Sequence, residues 1–230
     1  MTSLGDWLGS SQSERCTELL NCTDPATWPT ACRQAARVLA SGGLVVLPTD
    51  TVYGLAVNPA KPGAVADLLA AKGRHRAKPS PVLISQLDQL AVLAKPLSPI
   101  ASRLAKAFWP GPLTMVLPVA ADLEWDLGDT SGTIAVRLPQ HQLCRTLIDL
   151  TGPLAVSSAN LTGQPETVTA EQAFAQLKNR VDLVLEAGPA PGGQASTVVD
   201  LANPEQPRLL RAGAISQAEL GWETNGGANQ

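Results

Sequence analysis

Short runs of branched aliphatic residues alternate along the chain with stretches whose apolar residues recur at helical spacing. Leu44-Val45-Val46-Leu47, bounded by Gly42-Gly43 and by Pro48, reads as a buried strand. Before it, residues 31–40 read as a helix closed by Ser41-Gly42-Gly43, and residues 64–72 as a second helix stopped by Gly73. A short strand at 82–84 and a helix around 86–94 follow. Ser98-Pro99 then supplies an N-cap and a first-turn proline for a helix to Phe108, ended by Trp109-Pro110-Gly111-Pro112. Strands are expected at 113–117, 134–138, 154–157, 181–185, 197–201 and 209–210, with a helix at 142–150. Thr169 with Gln172 opens a helix to Lys178 as a capping box, and Ser216 with Glu219 repeats the device near the end. The expected fold class is α/β, one twisted mixed β-sheet flanked by helices. No linker divides residues 26–223, which read as one domain between polar tails at 1–25 and 224–230.

Composition supports a compact chain and narrows the partners. Of 230 residues, 44% are hydrophobic and 16% charged, while aromatics make up 3% and Gly and Pro number 19 each. The core is therefore aliphatic and the turns heavily punctuated. A formal charge of −3 and a pI near 5.4 give no general attraction to nucleic acid or to an anionic membrane, so phosphate binding has to be local. Residues 1–16 hold Asp6, Glu14 and Arg15 and no apolar stretch of signal length, and no run approaches the roughly 20 apolar residues of a membrane span. The expected location is the cytoplasm, without membrane contact. Cys16, Cys22, Cys32 and Cys144 match no disulfide framework or common zinc spacing, so reduced thiols and no metal site are expected.

Chemistry-bearing residues cluster at the ends of the apolar runs. Pro48-Thr49-Asp50-Thr51-Val52-Tyr53-Gly54-Leu55 brings two hydroxyls and a carboxylate to the carboxyl end of the 44–47 strand, where open α/β sheets bind ligands. A capped turn is the alternative reading. Five of the seven residues from Lys72 to Lys78 can carry positive charge, which suits either a solvated face or a polyphosphate. Ser157-Ser158-Ala159-Asn160 follows the 154–156 strand, and Ser196 and Arg211 flank strands late in the chain. Arg137 ends an otherwise apolar strand and needs an anion, either a ligand or an internal Asp or Glu.

In order, the Pro48 to Leu55 segment, Lys72-x-Arg74, Trp109-Pro110-Gly111-Pro112-Leu113-Thr114, Val136-Arg137-Leu138-Pro139, Ser158-x-Asn160, Ser196-Thr197-Val198-Val199 and Leu210-Arg211-x-Gly213 resemble the motif series of YrdC-type threonylcarbamoyl-AMP synthases. The resemblance runs from about residue 31 to 213. It implies a sheet folded around a large concave cavity and an enzyme that joins L-threonine, bicarbonate or CO2, and ATP into threonylcarbamoyl-AMP, releasing pyrophosphate. A downstream transferase complex would then modify tRNA beside the anticodon.

By the same resemblance Lys72, Arg74, Ser158 and Asn160 form a central catalytic tetrad holding ATP phosphates and the carbamate. Arg74, Lys78, Thr133, Ser158 and Arg211 contact ATP, and Thr51, Arg137 and Ser196 face threonine, Arg137 through the carboxylate. Mg2+ enters with ATP. Such a transfer needs positioning and charge neutralisation rather than a covalent nucleophile.

Two departures stand out. Ser80-Pro81 occupies a stretch that is apolar or amide-rich in many members, and the chain ends soon after Gly213, so site closure is expected from a loop such as 188–193. A module of this fold that binds double-stranded RNA or tRNA is the alternative function, with weak RNA contact as its residue in the leading one. A carbamoyl-adenylate domain of hydrogenase maturation is a third. Acidic charge argues against the RNA binder, and the third normally sits in a much longer chain.

Overall fold

The computed structural model describes residues 16–76 and 79–222. Its strands are β1 (Glu18–Asn21), β2 (Val45–Leu47), β3 (Gly54–Val57), β4 (Val82–Leu83), β5 (Leu113–Pro118), β6 (Thr133–Arg137), β7 (Leu154–Ser158), β8 (Leu183–Glu186), β9 (Thr197–Asp200) and β10 (Arg208–Arg211). The helices are α1 (Trp28–Ala40), α2 (Ala64–Lys72), α3 (Pro99–Phe108), α4 (Gln142–Thr151) and α5 (Ala170–Leu177). All ten strands join one sheet in the order β1-β8-β2-β3-β7-β4-β6-β5-β9-β10. The sheet is mixed: the β1/β8, β8/β2, β4/β6 and β5/β9 pairs are parallel, and the remaining pairs are antiparallel.

The alternation of side chains along each strand decides what each face carries. On one face Val45, Leu47, Ala56, Leu154 and Leu183 pack beneath α1 and α4 through residues such as Cys32, Leu39 and Leu147. On the other, Val46, Leu55, Met115, Ile134 and Val136 pack with Leu68, Leu104 and Ala173 of α2, α3 and α5. Strand β2 is buried on both faces, which is why its sequence is a continuous aliphatic run. Strands β5 and β6 send only alternate residues into the second cluster. Thr114, Val116, Thr133, Ala135 and Arg137 therefore point to the half of the first face beyond α1 and α4, and there a cavity opens.

Helix ends follow the local chemistry that the sequence carries. Ser98 Oγ accepts from the Ala101 amide with Pro99 in the first turn, and Thr169 accepts from the Gln172 amide. Residues 86–94, expected as a helix, instead form a 3-10 segment over Leu87–Val92. Leu90 is its sole buried residue while Leu87 and Val92 are exposed, so it lacks the apolar face that sustains an α-helix, and Pro96 blocks extension. Ser216 and Glu219 do exchange capping bonds, with Glu219 Oε2 accepting from the Ser216 amide at 2.9 Å, but turns follow rather than a helix.

Strands β1 and β3 were not among the expected elements. Residues 18–21 lie in the stretch read as a polar tail, so that reading is corrected at its described end; residues 1–15 and the tail at 224–230 lie outside the described residues. Strand β1 owes its place to backbone pairing with β8 rather than to a buried face, since Leu19 is 52% exposed. Strand β3 carries Gly54 and Ala56, poor strand formers by propensity, yet all four of its residues are buried. Pairing of β2 with β3 turns the Pro48 to Tyr53 segment into a hairpin connection rather than the open strand end expected of a βα unit.

Among the described residues no helix is long and apolar enough to cross a membrane. Cys22, Cys32 and Cys144 are buried free thiols, and burial pushes Cys22 and Cys32 up to about 11.

Tyr53 fastens the hairpin to the segment after β8: its hydroxyl donates to the Gly188 carbonyl at 2.7 Å and accepts from the Ala187 amide at 3.2 Å. Tyr53→Phe leaves both buried backbone groups without that partner, and should lower the unfolding free energy by about 1–3 kcal/mol. Denaturant titration checks this as a lower midpoint with an unchanged slope.

Candidate active site

The cavity has a volume of about 830 Å³ and is floored by β3, β4, β5, β6 and β7 with β9 and β10 at its side. Arg137, at the end of β6, organises one wall. Its Nε donates to the Gly111 carbonyl at 3.0 Å, its Nη1 to Thr51 Oγ1 at 2.8 Å and its Nη2 to Asp50 Oδ1 at 2.7 Å. The Arg137 and Asp50 side chains are 7% and 10% exposed, so this is a buried ion pair with hydrogen bonds on three edges of the guanidinium. The internal acid that Arg137 was expected to need, in the absence of a ligand, is thus Asp50. The same Asp50 oxygen accepts from the Gln140 amide at 3.0 Å, which binds the β6–α4 connection to the β2–β3 hairpin.

Hydrogen-bond direction along this wall can be traced. Thr49 Oγ1 lies 2.6 Å from the Val52 carbonyl, which can only accept, so the single Thr49 proton is committed there. The 3.0 Å contact between Thr49 and Thr51 hydroxyls is then donated by Thr51. With its proton spent on Thr49 and a bond accepted from Arg137, Thr51 has only a lone pair left for a ligand. Gly192 packs against this loop so closely that a Cβ there would lie 2.5 Å from the Asp50 carbonyl oxygen.

A second group lies around Ser196. Its hydroxyl is 2.8 Å from Thr114 Oγ1 and accepts from Arg211 Nη2 at 2.9 Å, while Arg211 Nε donates to the Ser196 carbonyl at 3.0 Å. Gly213 makes this possible, because a Cβ there would sit 2.4 Å from the Ala195 carbonyl oxygen. Arg74 Nη1 donates to Ser157 Oγ at 2.9 Å, whereas its buried Nε has no partner among the described residues. Burial lowers the Arg74 pKa and the charge of Arg211 adds to the effect. Arg211, exposed at the cavity rim, is itself lowered by partial desolvation, with Glu166 opposing and Arg137 contributing. Thr133 lines the cavity with its hydroxyl donated to the Thr130 carbonyl at 2.6 Å.

Of the expected site residues, the structure brings Thr51, Arg74, Thr133, Arg137, Ser158, Ser196 and Arg211 to this cavity. Lys72 and Asn160 are not in its lining. Lys72 Nζ donates to the Ser158 carbonyl, to the Asn160 carbonyl at 2.5 Å and to Asn160 Oδ1 at 3.3 Å, so its three N–H donors face protein oxygens behind β7. Lys78 lies outside the described residues. The basic run does not act as one patch. Lys72 is buried, Arg74 enters the cavity, and Arg76 makes an exposed bidentate pair with Asp126 at 3.0 and 2.5 Å.

Thr114, Ser157, Asp50 and Glu166 received no role from the sequence. Thr114 was findable from the alternation in 113–117, since it is the polar residue between Leu113 and Met115. At the Ser80-Pro81 departure, Pro79 and Pro81 form cavity wall and the Ser80 hydroxyl is buried without a partner among the described residues.

Fold and site together define an α/β ligand-binding domain whose cavity is arranged around cationic and hydroxyl side chains. A protein of Mycobacterium leprae is 43% identical over 206 residues, covering 90% of this chain and 93% of its own length, and is provisionally named a threonylcarbamoyl-AMP synthase. The threonylcarbamoyl-AMP synthase of Pyrococcus abyssi is 38% identical over 189 residues, covering 82% of this chain. The structure of P. abyssi Sua5 complexed with L-threonine superposes with a TM-score of 0.80 at 35% identity over 89% of this chain. The chain spans 55% of the length of the archaeal synthase and 59% of the Sua5 chain. The family profile described as telomere recombination, Sua5/YciO/YrdC, matches residues 37–213, and the chain belongs to that family.

Burial pushes the Lys72 pKa down to about 8 from 10.5, the Arg74 charge adds to it and Glu166 opposes. Between about pH 8 and 10.5 the unfolded chain therefore holds a proton that the folded one has lost, so this group's contribution to stability rises with pH. The cost of burying the ammonium is fully present below pH 8 and is relieved above 10.5. The unfolding free energy of wild type minus that of Lys72→Met should rise across this window by on the order of 1–3 kcal/mol. A difference independent of pH in a denaturation series would contradict the shift.

Proposed function

We propose that this chain is a threonylcarbamoyl-AMP synthase. The observation that carries the reading is a single cavity that Arg74, Arg137, Arg208 and Arg211 all line, in which Arg74 and Arg211 have no ion-pair partner among the described residues. Desolvation lowers the pKa of both Arg74 and Arg211, with the Arg211 charge adding to the first and the Arg137 charge to the second, and such a space favours an anionic ligand. Relatives that carry the synthase name, and the L-threonine held by the P. abyssi protein, support threonine as the amino-acid substrate.

In this reading Arg137, Thr51 and Ser196 receive threonine, and Arg74, Thr133, Ser158 and Arg211 receive ATP, with Lys78 as a further ATP contact. Lys72 and Asn160 act from behind by fixing the β7 end. CO2, supplied by bicarbonate, adds to the threonine amine with loss of a proton. An oxygen of the resulting carbamate attacks the α-phosphorus, and the bond to the β-phosphate oxygen breaks to release pyrophosphate. The side chains position the reactants and offset developing charge, and none forms a covalent bond.

Among the described residues no three His, Cys, Asp or Glu side chains are grouped to cage a metal. Magnesium would thus draw most of its ligands from the phosphates and water, with the lining carboxylates Asp129 and Glu166 as the available protein oxygens. Bound there, it would offset phosphate charge. The reaction belongs in the cytoplasm, where its product passes to a tRNA-modifying transferase. Direct RNA binding is the weaker reading, since the chain is acidic and its matched relatives carry the synthase name.

Purified protein should release pyrophosphate from ATP only when threonine, bicarbonate and magnesium are supplied together. Equal release without threonine, or none under any condition, overturns the proposal. Arg74→Ala should raise the KM for ATP by about tenfold or more through loss of a charge-assisted phosphate contact.

A further inference from the structure

We infer that Asp50 is a positioning residue for amino-acid recognition, acting through Arg137; the inference rests on the synthase reading. Asp50 is outside the cavity lining, whereas Arg137 and Thr51 are in it. Its place is fixed without any ligand. One carboxylate oxygen accepts from both Arg137 Nη2 and the Gln140 amide, and Gly192 closes on the Asp50 backbone with no room for a side chain between them.

The three acceptors around Arg137 are not equivalent. The Gly111 carbonyl and the Thr51 hydroxyl are neutral, and only Asp50 carries charge. Arg211 stands close enough for the Arg137 charge to lower its pKa, so an uncompensated Arg137 would repel it, and Asp50 is the carboxylate in direct contact with Arg137. With Nε, Nη1 and Nη2 each donating to a different protein oxygen the guanidinium plane is held, and two of its five N–H donors stay available for a carboxylate. The same geometry keeps Arg137 Nη1 donating to Thr51, which leaves Thr51 able only to accept. One side of the site then offers donors to the amino acid's carboxylate and the other offers an acceptor to its amine or hydroxyl. Asp50 fixes both, although it touches neither.

The test measures initial rates of pyrophosphate release for wild type, Asp50→Asn, Asp50→Ala, Arg137→Ala and the Asp50→Ala/Arg137→Ala double variant, varying threonine and ATP separately. Asp50→Ala should raise the KM for threonine by about tenfold or more while the KM for ATP stays within about twofold. Asp50→Asn, which keeps an oxygen acceptor, should fall between it and wild type, and it carries the test should the alanine variant not fold. The double variant should be no worse than Arg137→Ala alone, because Asp50 acts through that arginine.

An unchanged or lowered threonine KM, equal rises for both substrates, or additive effects in the double variant overturn the role. The wild type separates the two levels. Absence of threonine-dependent release from wild type counts against the synthase reading, whereas an active wild type with unselective Asp50 variants counts against the positioning role alone.

Discussion

A guanidinium can be buried at the end of a sheet strand only if its charge is matched and its donors are occupied, and Arg137 meets this condition by drawing three separate segments together. The turn at Gly111 and the β2–β3 hairpin through Asp50 and Thr51 close on the guanidinium, and the β6–α4 connection joins them through the Gln140 amide on Asp50. Losing one of the two charges would leave the other buried and uncompensated, which costs far more than the pair itself contributes. The constraint therefore fixes the wall of the cavity more firmly than hydrophobic packing could. Aliphatic contacts tolerate sliding and repacking, and hydrogen bonds on three edges of a plane do not.

That wall has meaning because of where the helices stop. Strand β2 is covered on both faces, but β5 and β6 bury only alternate side chains against the second cluster. The uncovered side of these strands would be an aggregation hazard if it were apolar. It carries Thr114, Thr133 and Arg137 among Val116 and Ala135, so polar and apolar side chains share this surface and a polar ligand is tolerated on it. The sheet thus supplies both a stable aliphatic half and a polar half from one backbone, and the period of two along each strand separates them.

Much of this was legible in the sequence, for identifiable reasons. Strand β2 announces itself because burial on both faces forces an aliphatic run, and α3 does so because Ser98 and Pro99 are local cap chemistry that needs no tertiary context. Arg137 was findable as a charge at the end of an apolar strand. Strand β3 was not, because its Gly and Ala are set by close packing across the sheet rather than by intrinsic preference, and β1 is held by backbone bonds that leave no side-chain pattern. Asp50 looked like a turn residue since its partners are 87 and 90 residues away in sequence. Lys72 was placed beside the ligand by the motif resemblance, and the basic run around it gave no sign that its spacing on a helix end turns Lys72 inward, Arg74 to the cavity and Arg76 to solvent.

Burying Lys72 carries an electrostatic cost, and it bears on how the site is held. An ammonium hydrogen-bonded only to carbonyl and amide oxygens gains hydrogen bonds but no contacting carboxylate, and burial lowers its pKa more than the Glu166 charge raises it. A methyl-bearing side chain of similar length would avoid that penalty, yet it would leave the Ser158 and Asn160 carbonyls without a donor just where β7 ends. Lys72 therefore holds the strand end by accepting an electrostatic cost. The positive potential that accompanies the cost reaches Arg74, whose charge lowers the Lys72 pKa further. An anion in the neighbouring cavity would relieve both groups at once, so ligand binding and local stability are coupled through the same charges.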